Sequence, residues 1–85
     1  MTNEEIQTFR RRVHDEMYLS AYLMLINEIE KKGKTKELIG LSKELSKAVR
    51  SKSYYYANKK AENMANEMDA LLKLIIKING EGIYG

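Results

Sequence analysis

His14 is the single histidine of the chain, set between Val13 and Asp15 in a highly charged stretch. A general base needs a partner group and a pocket that fixes where the proton goes, and one imidazole on a solvated helix face has neither. Carboxylates occur in close pairs, Asp15-Glu16, Glu28 with Glu30 and Glu62 with Glu67. None has the Glu-x-x-His spacing from which helical bundles build carboxylate metal centres. There is no cysteine, which removes thiolate zinc sites and disulfides together. Neither Gly-x-Gly-x-x-Gly nor Gly-x-x-x-x-Gly-Lys occurs, so no phosphate-cradling loop is encoded. The expectation is a protein without catalytic residues, metal or cofactor.

Contact chemistry is better represented. Residues 33–60 hold eight basic and two acidic side chains, net +6, between a stretch of net −1 (1–32) and one of net −2 (61–85). Inside this block Lys36, Lys43, Lys47, Arg50, Lys52, Lys59 and Lys60 surround three consecutive tyrosines, Tyr54, Tyr55 and Tyr56. Lysines along a helix otherwise serve only to keep it solvated. So dense a run, however, favours an anionic partner by long-range attraction. Cations interleaved with aromatics also suit single-stranded nucleic acid, the cations following phosphates and the rings stacking on bases.

These side chains need elements to hold them. The chain has 85 residues, no proline, 44% apolar and 32% charged residues, a mixture rich in Lys, Glu, Leu, Ala and Met that specifies an all-α fold. Thr2 and Glu5 have capping-box spacing, and nothing after them breaks a helix until Gly33, so the first helix is expected over 3–32. Ile6, Phe9, Val13, Met17, Ala21 and Met24 share one stripe of it. Thr35 caps a second helix over 36–50 whose apolar face is Leu38, Leu41, Leu45, Ala48 and Val49. Carried further, that helix would place Lys52 and Lys59 on the apolar face. A turn or kink is therefore expected near 50–53, with Ser51 or Ser53 as N-cap, a straight continuation being the alternative. The third helix is expected over 54–79, on a heptad seam of Tyr54, Ala57, Ala61, Met64, Met68, Leu71, Ile75 and Ile78. The expected product is one domain over 1–79, a small antiparallel three-helix bundle with its first helix central, followed by a Gly-rich tail over 80–85. A helix-turn-helix reading of Gly40-Leu41-Ser42 is disfavoured. Gly40 would interrupt a stripe that runs unbroken from Leu38 to Val49, and a separate first helix is lacking.

The ten residues from Met17 to Ile26 form the longest nearly unbroken apolar run. They fall well short of the roughly 20 that a membrane-spanning helix needs. The first residues, Met1-Thr2-Asn3-Glu4-Glu5, carry no basic n-region or small-residue cleavage site, so no secretory signal is read and a cytoplasmic protein is expected. The apolar run is too broad for one core face, since Tyr18, Leu19, Tyr22, Leu23, Ile26 and Ile29 make a second stripe roughly opposite the first. This second stripe is expected to mediate self-association, most simply a homodimer. The favoured function is that of a small non-catalytic interaction protein, which binds and regulates or inhibits a macromolecular partner through its basic and tyrosine-bearing face. A protein with an acidic surface is the first choice of partner; the alternative is a nucleic-acid-binding protein using the same face. In size and helix content alone the chain resembles small phage-encoded inhibitors and bacteriocin immunity proteins. Its abundant Lys, Ile, Asn and Tyr fit AT-rich coding in a low-GC bacterium or phage.

Overall fold

The computed structural model describes residues 1–79, Asn79 in its backbone only; the tail expected at 80–85 lies outside the described residues. They form four helices, not three: α1 (Asn3–His14), α2 (Tyr18–Lys32), α3 (Lys36–Asn58) and α4 (Glu62–Asn79). None is long and apolar enough to cross a membrane.

The first helix starts as expected. The Thr2 hydroxyl accepts from the Glu5 amide (3.2 Å) and the Glu5 carboxylate accepts from the Thr2 amide (2.8 Å), a complete capping box. It does not run to residue 32. At Asp15-Glu16-Met17 the Met17 amide donates to the Arg12 carbonyl (2.8 Å) and the Glu16 amide to that of Val13 (3.1 Å). These two bonds define a Schellman stop, with Glu16 at the left-handed position, φ 64°. The second unexpected break, at Lys59-Lys60-Ala61, repeats it. Ala61 donates to Tyr56 (2.9 Å), Lys60 to Ala57 (3.0 Å), and Lys60 takes φ 59°. Each stop uses a side-chain-bearing residue where glycine is usual, at roughly 1–2 kcal/mol of local cost, so the pattern carries no punctuation.

The break expected at 50–53 is absent, and neither Ser51 nor Ser53 caps a helix there: α3 runs through both. Lys52, which periodicity sends toward the apolar side, is tolerated there because it pairs with Glu16 of the α1–α2 turn. Ser53 is buried but donates its hydroxyl to the Asp69 carboxylate of α4. Ser42 and Ser46, also buried, donate to carbonyls of their own helix, at Ile39 (2.7 Å) and Lys43 (2.9 Å). Every polar group that continuity forces inward therefore finds a partner.

The helices alternate in direction. The Arg12 guanidinium donates to Ser20 Oγ (3.0 Å) across the α1–α2 turn, while Glu5 faces Glu28 at the far end of the pair. Glu16–Lys52 and Ser53–Asp69 tie α2 and α4 antiparallel to α3. The long α3, not the first helix, is central: it packs most extensively on α4 and also on α2. One apolar core draws Phe9 from α1, Tyr18, Ala21 and Leu25 from α2, Leu38, Leu41, Leu45 and Val49 from α3, and Leu71 and Ile75 from α4. Of the proposed heptad seam only its second half is buried, at Leu71, Ile75 and Ile78. Tyr54 and Ala57 belong to α3 and are exposed, as is Met64. The molecule is a slab of 39 × 30 × 15 Å, its thin dimension equal to two helix layers about 10 Å apart.

Candidate interaction face

Because α3 is unbroken, its outward positions stay in phase. At about 100° per residue, Lys36, Lys43, Lys47, Arg50 and Tyr54 fall within about 60° of the helix circumference, in a row about 27 Å long. All five are exposed, and Tyr54 is 65% exposed at the end of the row. Lys36, Lys43 and Lys47 form no ion pair among the described residues.

The remaining residues of the expected face lie elsewhere. Tyr55 is turned about 100° from Tyr54, so the three tyrosines do not make one platform. Tyr55 (49% exposed) meets the half-buried Tyr56 edge to face, ring centroids 5.5 Å apart and planes at 66°. The Lys52 ammonium lies 4.7 Å from the Tyr55 ring and 5.4 Å from that of Tyr56, and Lys59 lies 5.9 Å from Tyr55. The hydrogen bond from Lys52 to Glu16 holds its ammonium above the ordinary lysine value. Burial, followed by the nearby Glu16 charge, raises the Tyr18 phenol. Lys60 is exposed but serves the turn. The expected face thus divides into an outward row (Lys36, Lys43, Lys47, Arg50, Tyr54) and a corner packed toward the α1–α2 turn (Lys52, Tyr55, Tyr56, Lys59).

No family model matches the chain, and neither does any curated protein or solved structure.

The second apolar stripe also divides. Tyr18 is buried in the core, and Tyr22, Ile26 and Ile29 are half-buried. Leu19 and Leu23, one turn apart on α2, are 60% and 56% exposed.

Two participants escaped the sequence reading. Glu16 is one, because nothing in a charged stretch marks it as a turn residue. Gly40 is the other: it lies beside the outward row, exposed, in a groove between α1 and α3. Across that groove the Arg10 guanidinium makes a two-pronged contact with the Glu44 carboxylate, at 3.1 and 3.0 Å. This hydrogen bond from Arg10 to Glu44 raises the guanidinium further above its already high ordinary value.

Proposed function

We propose that this chain is a small, non-catalytic interaction protein of the cytoplasm that regulates or inhibits a partner protein by docking the α3 row on an acidic surface. The observation that carries the reading is the alignment of Lys36, Lys43, Lys47 and Arg50 with the exposed Tyr54 on one straight helix. Aligned cations steer an anionic partner and set its register. An exposed tyrosine at the end of the row supplies an anchor with large contact area and few rotatable bonds. The corner at Tyr55 and Tyr56 has its own cation in place and acts as a support behind the row.

Affinity capture from native host lysate, with and without nuclease, tests this against a Lys43→Glu/Lys47→Glu variant. The reading expects a protein retained through nuclease treatment and lost with the charge reversal. A ligand removed by nuclease, or capture indifferent to the reversal, refutes it.

The same row favours a second reading, nucleic acid, in which Tyr54 stacks on a base and the lysines meet phosphates. A duplex contacted by four cations would show log affinity falling with log salt at a slope of roughly −3.6. Gel shifts with single- and double-stranded DNA at low salt separate the two readings.

We also propose that Leu19 and Leu23 are the centre of a homodimer contact, bordered by Tyr22 and Ile26. Two leucines exposed a turn apart form a patch that a second copy can cover by two-fold symmetry. Light scattering decides: Leu19→Asp and Leu23→Asp should halve the mass of the wild type, while Arg11→Asp should leave it unchanged. A wild-type monomer at tens of micromolar would end this proposal.

A further inference from the structure

Glycine in the interior of a helix is about 1 kcal/mol less favourable than alanine, and Gly40 sits in the first third of α3. Neither of the usual internal reasons for it applies. Its φ is not positive, and a Cβ built on it would meet nothing within 4 Å. Among the described residues, therefore, no neighbouring element requires the space above Gly40. It opens instead into a groove of about 480 Å³ between α1 and α3, with Ile6 and Leu41 as its apolar walls and Arg10, Lys36, Glu37 and Glu44 around it.

We propose that this groove seats an acidic amphipathic helix of the partner protein. One apolar side chain of that helix lies over Gly40 against Ile6 and Leu41, and its carboxylates meet Lys36, Lys43 and Lys47. The inference rests on the reading of the α3 row as the contact face and adds the partner's secondary structure and point of attachment. Three observations favour a helix. Positions 36, 40, 43 and 47 follow the four-three-four spacing along which a second helix lies at a shallow angle. Gly40, the smallest residue of the four, lies on the side of the row toward α1, where the lack of a side chain leaves room for a second helix to approach. Charge is complementary: the three lysines have no ion pair among the described residues, whereas Glu44 is already held by Arg10 and Glu37 by the Met1 ammonium. A nucleic-acid backbone would press continuous negative charge on Glu37 and Glu44 at the same groove. A helix carries charge only where its sequence places it.

The test is fluorescence anisotropy with a labelled synthetic peptide of about 20 residues, long enough to span the row. It carries leucine at heptad a and d positions and glutamate beside them. The comparison probes are a scrambled peptide of the same composition, an oligoglutamate of equal charge, and single- and double-stranded oligonucleotides. The amphipathic peptide should bind the intact chain, and the scrambled peptide and oligoglutamate at least tenfold more weakly. Gly40→Leu fills the groove and should weaken binding roughly tenfold, the equivalent of 1.4 kcal/mol. Gly40→Ala, which meets no clash, should raise the melting temperature and so show that the helix itself tolerates a side chain. Wild-type affinity in Gly40→Leu, with binding lost in Lys43→Glu/Lys47→Glu, overturns the groove and leaves the row as contact face intact. Equal binding of all acidic peptides, or tighter binding of either oligonucleotide, overturns the helix as occupant. Failure of the amphipathic peptide to bind also overturns it, and the lysate capture then decides separately whether the row has a protein partner.

Discussion

Replacing Lys60 with glycine should stabilise the protein, although glycine at most positions of a helical chain does the reverse. Lys60 holds φ 59° at the stop between α3 and α4. A side chain there costs roughly 1–2 kcal/mol through the approach of Cβ to the backbone, a cost that glycine does not have. Set against this is the greater freedom of glycine in the unfolded chain, about 0.5–1 kcal/mol. The net expectation is a gain of about 0.5–1 kcal/mol, or roughly 3–6 °C in melting temperature for a chain of this size. The control is two residues earlier. Asn58 is the last residue of α3 and helical, so Asn58→Gly should lose stability, by roughly 0.3 kcal/mol. Urea unfolding followed by circular dichroism measures both at an unchanged m-value. Should Lys60→Gly lose stability as Asn58→Gly does, the left-handed stop is wrong, and with it the four-helix division of the chain's second half.

Phe9 is fully buried in the core, and Phe9→Ala should cost about 3–5 kcal/mol, a large share of a total expected near 4–13 kcal/mol; urea titration measures it. The Glu5 carboxylate is held below its ordinary value, first by the Thr2 backbone amide and then by the Thr2 side chain. Its contribution is thus present above the ordinary value of 4.5 and lost as pH falls through the lower folded value. Glu5→Gln should flatten this component of the stability profile between neutral and acid pH, and an unchanged profile would argue against the capping box. Lys52 behaves in the opposite sense: raised chiefly by its hydrogen bond to Glu16, it contributes fully below the ordinary 10.5 and loses its contribution as pH rises through the folded value. Glu16→Gln should remove that alkaline component, and Lys52→Met in the Glu16→Gln background should have less effect than in the wild type, as read from a double-mutant cycle.

How far the sequence reveals this fold depends on whether a residue's role is local. The cap at Thr2 is legible because hydroxyl, carboxylate and spacing all lie within one turn. Gly33 and Thr35 mark the α2–α3 connection for the same reason, with Gly33 at φ 78° and the Thr35 hydroxyl accepting from the Leu38 amide. The stops at Glu16 and Lys60 are illegible because both residues favour helices. Only the gain from folding α2 back, so that Ala21 and Leu25 join Phe9 in one core, overrides that preference. The break expected at Arg50–Ser53 fails in the converse way: Lys52 conflicts with the apolar face in its own helix, and the conflict is relieved by Glu16, 36 residues earlier. The cationic row is legible as a pattern, since Lys36, Lys43, Lys47 and Arg50 repeat in phase. Its extension to Tyr54, and the turning away of Tyr55, required knowing that α3 does not stop.

The three connections, Asp15–Met17, Gly33–Thr35 and Lys59–Ala61, are each three residues long. Each joins helices that pack as neighbours in chain order, so most packing between helices joins consecutive segments of the chain. Little loop-closure entropy then opposes the search for the native arrangement, and folding should be complete in microseconds to milliseconds. Since α3 touches both α2 and α4, a chain in which α3 has formed can add the flanking helices in either order. The helix that presents the cationic row is then also the one on which the rest of the molecule assembles.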